Sequence, residues 1–248
     1  MMFRIDIFQA ASDGWTPLMA ASRYGGAQTV KLLLNHPRID VNMANDFGDT
    51  ALIIASFWGS VEVVRALLQC PMTDIGIKGW KERTALETAK EKTHKGIAES
   101  IEHRSELLQR GNSTCPHSDN SARASKEPLE TSNITASALA EPSPCDNLTH
   151  DFLAHVADGK LKKLERIVLQ CPEFDEKVVN ARPRGKTALH WAVDKDKPKL
   201  VQALLEQPNI DPNKEGGLNN ETPLMAAAAF HQHGAEMVKL LLADPRYA

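Results

Sequence analysis

Residues 32–42 read LLLNHPRIDVN. The leucines follow Val30 at helical spacing and read as the end of a helix. Asn35 and Pro37 then stop it, because Pro cannot continue a helix and restricts the residue before it. The phrase returns as ALLQCPMTDIG from Ala66, IVLQCPEFDEKVVN from Ile167, ALLEQPNIDPN from Ala203 and LLLADPRYA from Leu240. A helix end, a variable residue, a Pro and usually an Asp recur through the chain. That is an internal repeat, and a repeat decides the fold before any other signal.

Working outward, the phrase has a second half. DGWTPLMAASRYGG at 13–26 matches FGDTALIIASFWGS at 47–60 and ERTALETAKEKTHK at 82–95. Thr16, Thr50 and Thr84 are 34 residues apart each time, and Thr187 and Thr222 are 35 apart. Each unit therefore holds two helices. Thr caps the first through its side-chain oxygen, and Pro17 or Pro223 sits just inside its start, where a missing N–H costs nothing. Paired alanines, such as Ala20 and Ala21, keep that helix thin. Gly25 and Gly59 suit the left-handed turn that ends it. The second helix is apolar on one face, as at Val30, Leu33 and Leu34 or Val64, Leu67 and Leu68.

Thr-Pro-Leu or Thr-Ala-Leu, an Ala further along the helix, a Gly after it, a Val-x-x-Leu-Leu helix and DVN together resemble the ankyrin repeat. TALHWA at 187–192 matches most closely, His190 included. The resemblance implies an all-α solenoid of stacked helix–turn–helix units with hairpin-like loops. It implies that His190 hydrogen-bonds in the turn network beside Thr187. It also implies a non-enzymatic scaffold or interaction module that binds a protein through hairpin tips and first helices. Thr93 and Asp196 depart from the pattern, standing where the helix-ending Gly belongs, and those turns are expected to be strained or reshaped. His155 takes a small-Ala slot in a degenerate copy, and two extra residues within 230–237 lengthen one turn.

Between Gly111 and His150 the pattern stops. That stretch is rich in Ser, Thr, Asn and Pro, has no aromatic residue, and cannot bury enough apolar surface to offset its ordering entropy. The expected organisation is an array of about three repeats over 1–110, a disordered linker over 111–150, and a second array over 151–248 whose last repeat is incomplete. A single curved solenoid with the linker looped out is the alternative. The flanks of the linker read as caps: a polar second helix after Lys95, with Ile97, Ile101 and Leu108 on one face, and a Lys-rich unit around Lys160. The chain starts and finishes in mid-repeat, which reads as a fragment or part of a longer array.

The 248 residues are 42% apolar and 25% charged, an ordinary globular balance. A formal charge of −3 argues against nucleic acid or an anionic membrane as partner. The sequence shows neither a signal peptide nor a run able to span a bilayer, so a monomeric, cytoplasmic protein is expected. The four cysteines are scattered; Cys70 and Cys171 occupy one variable loop slot, and no disulfide framework is expected. No phosphate loop, HExxH, paired CxxC or nucleophile elbow occurs. His231 with His233, and Cys115 with His117, lack a second ligand pair, so neither cofactor nor metal is expected. Three glycosylation sequons, at Asn112, Asn133 and Asn147, read as chance in an Asn- and Ser-rich tract.

Where a partner docks is suggested by aromatic placement. Positions seven and eight after each Thr end the first helix: Arg23–Tyr24, Phe57–Trp58, Glu91–Lys92, Asp194–Lys195 and Ala229–Phe230. Hairpin tips add Trp15, Phe47 and Trp80. Six of the chain's 13 aromatic residues fall at such places in the first array, and aromatics dominate binding hot spots. Trp15, Phe47 and Phe57 are expected to be exposed. For Tyr24 and Trp58, packing on the next helix and facing a partner both remain open. The alternative function is the targeting region of a larger enzyme or effector.

Overall fold

The computed structural model describes residues 13–111, 146–158, 160–171, 174–217, 220–229 and 234–244. It is helical, with two isolated antiparallel bridges, Ala44–Thr50 and Gly216–Glu221, at hairpin tips and no strand among the described residues.

The recurring Thr does what its position demands. Thr16, Thr50, Thr84, Thr187 and Thr222 each accept, through Oγ1, the backbone N–H three residues on, at 3.3–3.4 Å. They open α1 (Pro17–Ala20), α3 (Ala51–Trp58), α5 (Ala85–Glu91), α10 (Ala188–Asp194) and α12 (Pro223–Ala229). The second helices are α2 (Ala27–Leu34), α4 (Val61–Gln69), α6 (Lys95–Gly111), α11 (Pro198–Leu205) and α13 (Gly234–Leu242). The degenerate unit is α7 (Asp146–Asp158) with α8 (Leu161–Gln170), followed by the single turn α9 (Glu176–Val179). Phe152 and Phe174 fill that unit's core, both fully buried with ring centroids 4.7 Å apart. His155 is only half-buried there.

Helix ends follow one rule with instructive exceptions. Gly59 takes a left-handed φ of 78°, and the N–H of Ser60 reaches back to the Ala55 carbonyl at 3.1 Å. Thr93 (φ 61°) and Asp196 (φ 52°) adopt the same hand, closed by His94 N–H to Ala89 O and Lys197 N–H to Ala192 O, both 2.9 Å. The strain expected of these two is therefore present. In the first repeat, Ala21–Gly25 winds as a π turn, which moves the left-handed position from Gly25 to Gly26 (φ 81°). The i→i+5 pitch widens the last turn and carries the chain one residue further before it reverses.

Neighbouring repeats are tied by the Asn of the DVN phrase. Asn42 donates Nδ2–H to Met72 O (2.7 Å) and accepts from Asp74 N–H (2.9 Å). Asn180 does the same with Asn209 O (2.9 Å) and Asp211 N–H (2.7 Å).

Helix pairs stack in the order α7/α8, α10/α11, α12/α13, α1/α2, α3/α4, α5/α6. The second array thus precedes the first in space, with α12 against α1 and α13 against α2. The two arrays therefore meet across a shared core. The seam is apolar. Leu18, Met19, Val30 and Leu33 on one side and Leu224, Met237, Val238 and Leu241 on the other are all buried. Each array supplies the cap the other lacks, which repeat proteins need.

At the outer ends the capping units differ from expectation in one respect. Ile97 and Ile101 are buried, but Leu107 and Leu108 are exposed because α6 overhangs the α4 helix on which it packs. Helix also occupies both margins of the stretch assigned to the linker, up to Gly111 and from Asp146. Disorder between them, and the longer turn near residue 231, fall outside the described residues. Cys70 is a half-buried free thiol, and Cys171 is fully buried.

Candidate functional site

Hairpin tips and first helices of the first array build one groove. Its cavity holds about 420 Å³ and is lined chiefly by Trp15, Phe47, Phe57, Trp58 and Trp80, over a floor of Ile53 and Ile54. The tips are rigid by local hydrogen bonding. Asn45 Oδ1 accepts from the N–H of both Phe47 (3.0 Å) and Asp49 (2.9 Å). Gly48, at φ 81°, turns the chain between them. Asp49 Oδ1 in turn accepts the N–H of Trp80 at 2.9 Å, which fixes the next tip against this one.

These bonds explain why large rings stay in water. Phe47 is 59% exposed, Trp80 53%, Trp58 51%, Tyr24 38% and Phe57 37%. Trp58 and Tyr24 are therefore not core, the question that their spacing left open. Trp15 departs from expectation: it is half-buried and packs against the core. Tyr24 lies off the main groove, in a smaller cavity of about 160 Å³ shared with Asp13, Arg23 and Glu221 at the seam between arrays.

The spacing reading missed Arg83 and Lys186, directly before Thr84 and Thr187, each of which meets the position seven after its Thr. Arg83 and Glu91 form an ion pair, as do Lys186 and Asp194. In the first repeat the same two positions hold Trp15 and Arg23, with the guanidinium 5.6 Å from the ring. Opposite charges at these offsets around Thr84 and Thr187 were the available signal.

Cations sit over the rings. The Arg23 guanidinium is 4.6 Å from both the Tyr24 and Trp58 rings, and its Nε is buried without a hydrogen-bond partner. Lys92 Nζ lies 4.1 Å over Phe57 and Lys81 Nζ 4.0 Å over Trp80. Phe57 and Trp58 meet edge to face at 5.4 Å. Such contacts hold rings in place without burying them.

The second array offers a different face. Asp194 is held by Lys186, Lys195 is solvent-exposed, and Phe230 lies outside the described residues. His190 is wholly buried, its Nδ1 2.7 Å from Thr187 Oγ1 and its Nε2 2.9 Å from the Glu221 carbonyl. That is the turn-network role implied by the resemblance. Burial pushes its pKa below the usual histidine value, and burial pushes the Glu221 carboxyl up. No cluster able to hold a metal occurs among the described residues. His231, His233, Cys115 and His117 lie outside them. No helix among the described residues is long and apolar enough to cross a membrane.

Comparison with known proteins agrees with the repeat geometry. A family model described as ankyrin repeats (3 copies) matches residues 2–79 and again 152–247. No curated protein sequence matches the chain. Among solved structures, one similar chain comes from a predatory endopeptidase of Bdellovibrio bacteriovorus in complex with an immunity protein. It is 19% identical, with 94% of this chain and 98% of that one covered and a TM-score of 0.35. Another is the ankyrin repeat domain of Bcl-3, a member of the IkappaB family, 18% identical over 94% of this chain and 86% of that one, TM-score 0.36. The family model spans well over half of the sequence, and the capping threonines and paired helices recur at its period: the chain belongs to the ankyrin-repeat family.

Proposed function

We propose that this chain is a non-enzymatic interaction module that docks a partner protein in the aromatic groove of its first array. Ankyrin repeats are generally protein-binding units, and one observation carries the reading here. Phe47, Phe57, Trp58 and Trp80 come from two neighbouring repeats, remain exposed, and converge on a single cavity. Leaving that much apolar surface in water has a cost, and exposed contiguous apolar patches mark interaction sites. Large rings at a hot spot bury much area for little rotamer entropy. The reading includes a monomeric, cytoplasmic protein with neither nucleic acid nor membrane as ligand. The targeting region of a larger enzyme is the second reading, and the same groove would serve it.

The test is the double variant Phe57→Ala with Trp58→Ala, compared with the parent chain in affinity capture with mass spectrometry and in thermal melting. Both rings are exposed, so the melt should hold while captured partners are lost. A lowered melt with unchanged capture would assign the rings to stability and remove the groove as docking face.

A further inference from the structure

We infer that the groove takes an extended acidic segment of a partner protein, with an apolar side chain seated among the rings and carboxylates on the flanking cations. The inference rests on the docking reading above and names the chemistry of what docks.

Charge accounting within the groove supports it. Four cations border the rings: Arg23, Lys81, Arg83 and Lys92. Two carboxylates line the groove with them, which leaves two positive charges in excess there; Asp13 and Glu221 lie in the smaller cavity beside Arg23. Glu91 pairs with Arg83, and Asp49 accepts the Trp80 backbone N–H. Arg23, Lys81 and Lys92 have no carboxylate partner among the described residues; each rests on an aromatic face. In the second array the position that matches Arg83, Lys186, is likewise paired, with Asp194.

The surplus has direction. Arg23 Nε is a buried donor with no acceptor, and buried donors in native proteins are normally satisfied. A carboxylate reaching the outer N–H groups of the guanidinium would form a charge-assisted bond, stronger than the ring contacts it would join. The rings need not be vacated, because a cation over a ring still presents its outer N–H groups to a partner. Lys92 lines the cavity over Phe57 and Lys81 sits over Trp80, another of its lining rings, so carboxylates flanking one apolar anchor would meet both. A basic segment would face the same three cations without compensation. Like-charge juxtaposition of that kind suppresses wrong partners.

A short randomised peptide display library, panned on the whole chain, tests this without a known ligand. Selected peptides should carry Asp or Glu on both sides of a Leu, Ile or Phe. Their affinity, read by fluorescence anisotropy, should fall about tenfold in Lys81→Gln with Lys92→Gln. Both lysines are exposed, so an unchanged melt keeps folding out of the result. Adding Arg23→Gln should weaken binding further, and raising salt should weaken the parent's binding. Neutral or basic peptides, if they are selected and then lost on Phe57→Ala with Trp58→Ala, overturn the acidic partner and leave the docking groove standing. Peptides that bind that variant undiminished, or a library that yields none, sink the groove itself. A synthetic peptide of residues 112–145 that displaces the selected ones would make this chain's own segment the occupant and overturn an external partner.

Discussion

Thr93→Gly should stabilise the protein. Thr93 holds a left-handed φ of 61° at the end of α5, the place that Gly59 fills after α3 with φ 78°. The closing bond from His94 N–H to Ala89 O, 2.9 Å, fixes that geometry, so the residue cannot relax out of it. An L-residue in the left-handed region costs about 1–2 kcal/mol. Glycine removes that cost but loses roughly 0.5–1 kcal/mol more backbone entropy on folding. The Thr93 side chain is exposed, so no burial is forfeited. The net gain is about 0.5–1 kcal/mol, which for a chain of this size raises Tm by roughly 1–4 °C. The assay is thermal unfolding by far-UV circular dichroism, with a denaturant titration beside it. Gly59→Ala is the reciprocal control: a Cβ there would meet the His94 ring at 2.8 Å in addition to the unfavourable φ, and it should destabilise. A melt of Thr93→Gly equal to or below the parent's would refute the claim that this turn stores strain.

Three further outcomes follow from the same contacts. Because burial lowers the His190 pKa, the unfolded chain takes up that proton first as pH falls; stability is full above about 6.5, the ordinary histidine value, and declines below it. Glu221, raised by burial, contributes with opposite sign in the carboxylate range. The measurement is therefore the difference in pH slope between the parent and His190→Gln, and an identical slope near pH 6 would count against it. Asn180→Ala should cost about 1–3 kcal/mol, and more than Asn42→Ala, since both ladder bonds of Asn180 are partly buried while those of Asn42 are exposed; equal losses in chemical denaturation would contradict this. A chain cut at a protease site engineered between residues 112 and 145 should sediment as one particle, held by α12 on α1 and α13 on α2. Separation into two species without denaturant would mean that the seam is not a stable interface.

The repeat was legible in the sequence because each unit is specified locally. A capping Thr needs only an N–H three residues away, and a Val-x-x-Leu-Leu face needs only the helical period, so Thr16 through Thr222 announced their helices by spacing alone. The aromatic candidates could be read for the same reason, since first-helix ends and hairpin tips recur in phase. Tertiary structure decided what depends on a neighbour distant in the chain. Whether Tyr24 and Trp58 are exposed depends on the space beside them, and Trp15 is half-buried because it leans on the core. The pairing of Arg83 with Glu91, which leaves Arg23, Lys81 and Lys92 as spare cations, emerges only once tips and helix ends are set side by side. The order of stacking lay furthest from view. Nothing local distinguishes an apolar face covered by the next repeat in sequence from one covered by a repeat two hundred residues away. Burial is indifferent to chain order, and so α1 and α2 close on α12 and α13.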